Sequence, residues 1–455
     1  TILNHRVSCD YIPIMLTGDS RLDVFEVARR ARAAALQMSN VSSETKNRVI
    51  LAIAEEIDKK KLQLEEVNAK DIDEAKKAGL ATSLLKRLKF DSIKINEATR
   101  GIQALAQLED PVGKTLLSLQ MDQGLKLYKI TCPIGVVGAI FESRPDALVQ
   151  IATLCLKSGN AVILKGGVEA MRTNQFLTEL IRKAIKQFRE VPEDAVQLVE
   201  TREDIAKLLK LDEYVDLLIP RGSNSLVKYI KENSKIPVLG HTEGICHEYV
   251  DADADLDMAV EICYDAKVQY PAVCNALEIL LVHKDIAEKF LPKMAQRYRE
   301  ANVELRGDRK TREIITDVKE ATEEDWSTEY LDLILSIKVV DSLQQAIDHI
   351  NHYGSHHTDG IITQDKETAR RFLSAVDSAV VLHNASTRFS DGYRFGFGAE
   401  VGISTEKIHA RGPVGLDGLV IYKYIVAGNG QVVSSYVGKN AKPFTHRRLT
   451  ETWNP

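Results

Sequence analysis

The N-terminal part of the chain carries the spacing of amphipathic helices. Between Asp23 and Gly79, apolar residues recur three and four positions apart, and the serine pair 42–43 can cap one of these helices. The clearest run is Val49, Ile50, Ile53 and Ile57. We therefore expect helices up to Gly79, where a glycine ends a long charged stretch.

Short apolar, β-branched runs bounded by glycine or proline follow, and they alternate with helical spacing. In a first series the predicted strands are 134–141, 161–164 and 215–219, and the predicted helices are 175–188 and 202–210. In a second series the predicted strands are 248–250, 278–282, 333–340, 360–363 and 379–383, separated by helices at 255–268, 286–299, 342–351 and 367–376. Strands that alternate with helices predict βαβ units, and hence two α/β domains with mostly parallel sheets.

Three segments depart from this alternation. The acidic stretch 319–329 indicates a solvated loop, and the run 418–426, Gly428-Asn429-Gly430 and 431–436 predicts a protruding hairpin. The segment 384–413 is too dense in glycine, arginine, hydroxyl and aromatic residues for a helix or strand. A loop of this length in a compact domain is usually functional, and its arginines suit a carboxylate or phosphate ligand. A purely structural interface loop is the alternative.

Length and composition limit the class of protein. A chain of 455 residues suits two or three domains, and 44% apolar with 27% charged residues is ordinary for a globular protein. The net charge of −5 disfavours nucleic acid as a partner, and no apolar run is long enough to span a membrane.

Cysteine usage and the N-terminal stretch predict a cytoplasmic protein. The stretch up to Ser20 lacks the pattern of a signal peptide. The cysteines show no disulfide or metal spacing, which is typical of a reducing compartment. They are Cys9, Cys132, Cys155, Cys246, Cys263 and Cys274.

Cys274 is the best candidate for a catalytic atom. It follows a Tyr-Pro turn and precedes Asn275 and a helix-compatible Ala-Leu-Glu run. A position at a helix start lowers a thiol pKa from about 8.5 toward 4–7 and makes a thiolate nucleophile available. A small buried hydrophobic residue is the competing interpretation.

Two glycine-containing turns at strand ends can hold phosphate groups. Gly222 and Ser223 lie between the predicted strand 215–219 and a helical run, where N–H groups and the helix dipole suit a pyrophosphate. An ordinary helix N-cap explains this turn equally simply. Lys165, beside Gly166-Gly167, suits a nucleotide phosphate or ribose, or is a solvated turn lysine.

In their order along the chain these motifs resemble the γ-glutamyl phosphate reductase family of the aldehyde dehydrogenase superfamily, from about Phe25 to Gly430. Four short motifs carry the resemblance: Ile-Phe-Glu-Ser-Arg-Pro at 140–145, Leu-Lys-Gly-Gly at 164–167, Tyr270-Pro271 with Cys-Asn-Ala at 274–276, and His-Thr-Asp at 357–359. The segments 219–223, 240–246 and 384–413 add to it.

The resemblance implies an aldehyde dehydrogenase-like α/β fold. A Rossmann-like NADP-binding domain is expected in 1–240 and an α/β catalytic domain in 241–412. A β-arm for oligomerisation and a C-terminal tail are expected in 413–455, with an arm segment at about 117–132.

The implied activity is NADPH-dependent reduction of L-glutamate 5-phosphate to L-glutamate 5-semialdehyde and phosphate, the second step of proline synthesis from glutamate. Cys274 would attack the acyl phosphate, and hydride would reduce the resulting thioester. Ser143 stands where aldehyde-oxidising relatives carry an amide donor for the oxyanion, and Asn275 adjoins the thiol as a further catalytic candidate.

The resemblance also indicates why water does not compete. Hydrolytic relatives carry a glutamate base, but the matching region around Gly240-His241 has no carboxylate in the base position, although Glu243 lies nearby. Loss of that base protects a thioester from hydrolysis. His241 either polarises the thiol or the leaving phosphate, or is a packed, hydrogen-bonded residue.

Cofactor and substrate residues follow from the same resemblance. The implied NADPH-binding residues are Lys165, Gly167, Gly222, Ser223 and Glu329. Val168 stands where NAD-specific relatives often carry an acid, which agrees with NADPH, although Glu169 adjoins it. The implied substrate-binding residues are Arg144, Ser386, Thr387 and Arg388, with Arg394 and Arg411 as further candidates. No metal is implied.

For partners, the resemblance implies a homo-oligomer, a dimer or larger, and a glutamate 5-kinase on a separate polypeptide. A CoA-acylating dehydrogenase of the same superfamily and a non-catalytic protein with this fold are the alternatives.

Overall fold

Helices open the part of the chain that the computed structural model describes, residues 23–454. They are α1 (Val24–Met38), α2 (Ser43–Lys59), α3 (Lys61–Lys77), α4 (Thr82–Leu88) and α5 (Ser92–Gln107). Ser42 caps α2 by accepting a hydrogen bond from the Thr45 N–H. Gly79 follows α3 with a φ of +76°, a conformation that favours glycine. The helical prediction up to Gly79 is confirmed, whereas α4 and α5 were not predicted. Cys9 and the stretch up to Ser20 lie outside the described residues.

An antiparallel hairpin comes next, formed by β1 (Thr115–Asp122) and β2 (Leu125–Pro133). It turns at Gln123-Gly124, where Gly124 has a φ of +72°. This hairpin is the start of the arm described below.

The first parallel sheet lies in the following segment. Its elements are β3 (Val136–Phe141), α6 (Pro145–Lys157), β4 (Ala161–Lys165), α7 (Met171–Ile185), β5 (Val196–Val199), α8 (Arg202–Leu208), β6 (Leu217–Arg221) and α9 (Asn224–Asn233). The strand order is β5-β4-β3-β6, all parallel, and β3 and β4 are buried along their whole length. The chain changes direction across the sheet between β3 and β6, and ligands bind at such a switch point, outside the carboxyl ends of the strands.

The second sheet has seven parallel strands. Its elements are β7 (Cys246–Val250), α10 (Leu256–Val268), β8 (Leu277–His283), α11 (Lys284–Glu300), β9 (Glu304–Gly307), α12 (Arg309–Ile314), β10 (Lys319–Glu320), β11 (Ile334–Val340), α13 (Leu343–Tyr353), β12 (Thr358–Ile362), α14 (Lys366–Ala375) and β13 (Val380–His383). The order is β10-β9-β11-β8-β7-β12-β13. The predicted α/β class with mostly parallel sheets is confirmed. The loop predicted at 319–329 is wrong in part, because it contains β10 and a 3-10 turn at 324–327.

The C-terminal part completes the arm. The strands of this C-terminal part are β14 (Gly402–Ser404), β15 (Gly412–Val414), β16 (Val420–Ala427) and β17 (Arg447–Arg448). β14 and β15 pair with each other in a separate two-stranded sheet. β16 pairs with β2 and β17 with β1, which gives a sheet of order β16-β2-β1-β17. The predicted hairpin is therefore wrong: β16 pairs with β2, and residues 433–436 form a 3-10 turn rather than a second strand. The segment 384–413 is irregular over most of its length, as predicted.

No helix within residues 23–454 combines the length and apolar character needed to cross a membrane. The cysteines in this part of the chain are all free thiols.

Candidate active site

A cleft of about 890 Å³ contains Cys274. Cys274 lies in the turn between α10 and β8, half-buried, and Gly244 packs directly against it: a Cβ at Gly244 would lie 1.9 Å from the Cys274 carbonyl oxygen. Only glycine fits there. The Cys246 thiol donates to the same carbonyl oxygen at 3.2 Å, so the backbone of the turn is held from two sides.

The predicted helix start after Cys274 is wrong. Leu277 begins the central strand β8, so no helix terminus lies beside the sulfur. Burial raises the pKa of Cys274 to about 12, Glu329 adds to the rise, and Arg221 opposes it. The thiol is therefore neutral at pH 7 in the ligand-free protein, and the predicted lowering of its pKa is corrected to a rise.

Two histidines lie beside the sulfur. One ring nitrogen of His241, one of His357 and the Cys274 sulfur lie within 4.8 Å of one another. The two rings meet edge to face with centroids 4.9 Å apart. Burial lowers the pKa of both histidines, so both rings are neutral at pH 7. His241 is thus both hydrogen-bonded, to the Ile403 carbonyl at 3.0 Å, and adjacent to the thiol. His357 was part of a sequence motif, but its role was not predicted.

Three arginines give the cleft its positive side. Arg144 forms an ion pair with Asp146 at 3.0 Å, and Arg388 donates from Nε to Gln269 at 2.9 Å. Arg221 ends β6 and was missed as a site residue, although the last position of a parallel strand is where α/β folds place ligands. The cleft also holds Lys86, Arg87, Lys94, Glu142, Asp146, Glu329, Asp391 and Glu400.

The loop 384–413 contributes less than predicted. Ser386 and Thr387 are 4% and 0% exposed and do not line the cleft. The Thr387 N–H donates to Glu248 at 3.2 Å, and the Ser386 hydroxyl oxygen accepts from the Arg388 N–H at 3.3 Å. They hold the 3-10 turn that presents Arg388, so the prediction that they contact substrate is not supported by their positions.

Three further candidate residues form hydrogen bonds or ion pairs within the protein: Asn275, Arg394 and Arg411. Asn275 lines the cleft, but its side-chain NH₂ donates to the Ser390 carbonyl at 2.8 Å. Arg394 donates to the Arg388 carbonyl at 3.0 Å, and Arg411 pairs with Asp377 at 3.1 Å beside a different cleft.

A neighbouring cleft of about 680 Å³ lies against the same edge of the first sheet. Ser143 lines this cleft rather than the one with Cys274; its N–H and hydroxyl both donate to Glu169, at 2.7 and 2.6 Å. The structure therefore does not bring Ser143 to the thiol. Its φ of +45° is the left-handed conformation, which these two hydrogen bonds to Glu169 stabilise.

The predicted cofactor residues are divided between the two clefts. Lys165, Gly167 and Ser223 line the smaller cleft, Gly222 and Glu329 line the larger one, and Glu142 lines both. The Ser223 N–H, at the start of α9, donates to the Glu142 carboxylate at 2.7 Å. Lys165 donates to the Gly166 carbonyl at 2.7 Å. The five residues, called the track below, thus line two clefts that have Glu142 and Arg87 in common.

Comparison with known proteins places this geometry in a family. Residues 16–321 match the aldehyde dehydrogenase family. A gamma-glutamyl phosphate reductase of Methanosarcina mazei is 56% identical over 436 residues, which are 94% of this chain and 98% of the relative. One of Pelotomaculum thermopropionicum is 56% identical over 432 residues, 95% of this chain and 99% of the relative. The crystal structure of gamma-glutamyl phosphate reductase from Thermotoga maritima is similar with a TM-score of 0.88 and 42% identity, over 90% of this chain and 99% of that one.

The chain belongs to the γ-glutamyl phosphate reductases of the aldehyde dehydrogenase family. The predicted family, fold class and enzyme class are confirmed: this is an aldehyde dehydrogenase-family oxidoreductase. As a member of this family it uses a nicotinamide dinucleotide.

Proposed function

We propose that the enzyme reduces L-glutamate 5-phosphate to L-glutamate 5-semialdehyde and phosphate with NADPH, through a thioester on Cys274, in the second step of proline synthesis from glutamate. The observation that carries the proposal is the shared cleft of Cys274, Arg144, Arg221 and Arg388. Guanidinium groups bind carboxylate and phosphate bidentately, and this substrate carries both.

The thiol needs a proton acceptor, since its pKa is raised. The Nδ1–H groups of His241 and His357 are donated to neighbouring oxygens, so each Nε2 retains a lone pair. Proton transfer from sulfur to one of these nitrogens gives the thiolate, and Arg221 favours its negative charge. The thiolate bonds to the acyl carbon, the carbon–oxygen bond to phosphate breaks, and the phosphate leaves with the proton that the histidine accepted.

The oxyanion formed in this step needs a hydrogen-bond donor. The Asn275 amide is engaged with Ser390, and Ser143 lies in the other cleft, so the backbone N–H of Cys274 is the donor in this proposal. When bound, NADPH supplies the hydride that reduces the thioester. Collapse of the thiohemiacetal then releases the semialdehyde, and a proton from solvent restores the thiol.

The residues along the track fit a dinucleotide. The Glu142 carboxylate accepts from the N–H of Ser223, the N-cap residue of α9, so an anionic oxygen lies where a pyrophosphate is expected. Val168 is 48% exposed beside the smaller cleft, and the neighbouring Glu169 carboxylate is held by Ser143. Arg87 lines the same cleft. An apolar residue and an arginine there favour a 2′-phosphate, which supports NADPH.

Hydrogen bonds fix the acids near the sulfur. Glu329 accepts from the Gly244 N–H at 2.9 Å and from Asn224 at 3.0 Å. Glu400 accepts from the Gly392 N–H at 2.9 Å, and Glu243 is exposed and does not line the cleft. The region around Gly240-His241, which matches the base position of hydrolytic relatives, carries no carboxylate, and this supports exchange of the acyl group with phosphate rather than hydrolysis.

The test is the reaction run in both directions. With freshly prepared glutamyl phosphate, NADPH oxidation is expected in the native chain and in Cys132→Ser, and is expected to be lost in Cys274→Ala. In reverse, semialdehyde and NADP⁺ should require phosphate. A requirement for CoA instead, or an acyl adduct located by mass spectrometry on a residue other than Cys274, would refute the proposal.

We also propose that the arm joins copies of this chain into a homo-oligomer. Tyr422, Tyr424 and Val426 project from one face of β16 and are 44%, 57% and 56% exposed. An apolar stripe on an edge strand is the usual surface for pairing with a second chain.

A further inference from the structure

Three metal-ligating side chains converge at the base of the Cys274 cleft. A ring nitrogen of His241, a ring nitrogen of His357 and the Cys274 sulfur all lie within 4.8 Å of one another. His241 and Cys274 line the open cleft, whereas His357 lies behind them and is 0% exposed. A cation entering from the cleft therefore meets ligands on its inner side and keeps an open outer side.

Hydrogen bonds determine which nitrogen of each histidine carries the proton. His241 donates from Nδ1 to the Ile403 carbonyl at 3.0 Å. His357 Nδ1 lies 2.9 Å from the Thr358 hydroxyl oxygen, and that hydroxyl donates onward to Ser390 at 2.8 Å, so the histidine is the donor to Thr358. Both rings are therefore protonated on Nδ1 and keep a lone pair on Nε2.

The Nε2 atom of His357 is a second and independent sign of a ligand. It is buried and has no hydrogen-bond partner among residues 23–454. A buried nitrogen with an unshared lone pair is costly unless something binds it. Metal-bound histidines characteristically donate their other N–H to a carbonyl, carboxylate or similar acceptor, which is the arrangement of both rings here.

We propose that His241, Cys274 and His357 bind one zinc ion, reversibly, and that this ion inhibits the enzyme by occupying the catalytic thiol. One sulfur and two imidazole nitrogens with an open fourth position form a ligand set typical of zinc. On binding, the S–H bond of Cys274 breaks, its proton leaves to solvent, and the sulfur–zinc bond forms; no oxidation or reduction occurs. Ligand atoms of a tetrahedral zinc lie about 3.5 Å apart, so the three atoms, which lie within 4.8 Å of one another, close the site by small side-chain rotations.

Binding of the ion does not depend on the proposed function; only the inhibition does. The two parts are therefore measured separately. Cobalt(II) reports binding, because tetrahedral coordination gives visible d–d absorption and a thiolate ligand adds a charge-transfer band. Titration of the full chain with Co²⁺ should show both signals at one equivalent, Zn²⁺ should displace them, and Mg²⁺ should not.

Substitutions of single side chains test which residues bind the metal ion. Cys274→Ser should abolish the charge-transfer band, and His241→Ala and His357→Gln should each weaken Co²⁺ binding more than about 100-fold. Thr358→Val, which removes the acceptor for His357 Nδ1 together with the hydrogen bond to Ser390, should weaken it about 10- to 100-fold. Cys132→Ser and His352→Gln, a half-buried thiol on the arm and an exposed histidine, should bind as the native chain does.

Inhibition is read as the loss of NADPH oxidation at increasing free Zn²⁺, and recovery on adding a chelator. Zinc should also protect Cys274 from alkylation, a readout that needs no activity. Co²⁺ binding without a thiolate band, or with unchanged affinity in both His357→Gln and Thr358→Val, would overturn the inference. If Co²⁺ binds as expected but glutamyl phosphate is not reduced, the zinc site stands and the proposed function fails.

Discussion

At the scale of single residues, the environment of Cys274 sets when the thiolate forms. Because burial raises its pKa to about 12, the thiolate fraction should increase about 10-fold per pH unit over the range from pH 7 to 10. We expect the rate of Cys274 alkylation by iodoacetamide, in the presence of a chelator, to follow that slope. Arg221→Met should make it slower at every pH, since Arg221 favours the thiolate. A rate that levels off below pH 9 would contradict the raised pKa.

Glu142 gives a second prediction at this scale. Its carboxylate accepts from the Ser223 N–H at the start of α9, where the cofactor pyrophosphate is proposed to bind. Glu142→Gln removes a negative charge from that position, which is worth about 0.3–1 kcal/mol near a helix terminus. The KM for NADPH should therefore fall about 2- to 5-fold in steady-state assays. Glu288→Gln, on the exposed face of α11, is the control. A rise in KM would mean that Glu142 itself holds the cofactor.

At the scale of elements, a buried ion pair joins the helix and the strand on either side of Cys274. Lys267 of α10 lies 2.6 Å from Glu278 of β8, and both side chains are 0% exposed. Burial lowers the pKa of Lys267 and raises that of Glu278 to about 7. Lys267→Met leaves a carboxylate without its partner and should lower the free energy of unfolding by about 3–5 kcal/mol, measured with urea.

The double variant tests the cause of that loss. Lys267→Met with Glu278→Leu removes both charges, and it should recover most of the lost free energy of unfolding, because an apolar pair of similar volume replaces the ion pair. Equal losses in the single and double variants would show that packing, rather than the unpaired charge, determines the effect.

Local patterns predicted elements well where the decisive contacts are local. The alternation of strands and helices and the helix caps depend on such local contacts. Ser42, for example, caps α2 through the Thr45 N–H. Two errors came from contacts distant in sequence. Val420 pairs with Pro133 rather than within a local hairpin, and no local signal identifies that partner. The strand predicted at 278–282 is confirmed as β8, but the helix start predicted beside Cys274 is wrong, since short apolar runs do not distinguish a buried strand from a helix start.

At the scale of the whole molecule, the site is built from both sheets. Arg144 and Arg221 lie at the carboxyl ends of strands in the first sheet, and Cys274 lies in the turn before β8 of the second sheet. The sequence indicated most of these motifs, but it assigned substrate contact to Ser386 and Thr387 and overlooked Arg221 and His357. Which face of a loop points into a cleft is decided by packing, here by the hydrogen bond from Thr387 to Glu248.

The arm links the fold to assembly. Tyr422, Tyr424 and Val426 alternate along β16 and so share one face of an edge strand. If that face pairs with a second copy, native protein should have a mass in light scattering that is a multiple of the 50.7 kDa chain. Tyr424→Glu should shift it toward a single chain, since a charge in an apolar interface is left without a partner. Lys423→Ser, on the opposite face of β16, should leave the mass unchanged; equal masses for all three proteins would place the interface elsewhere.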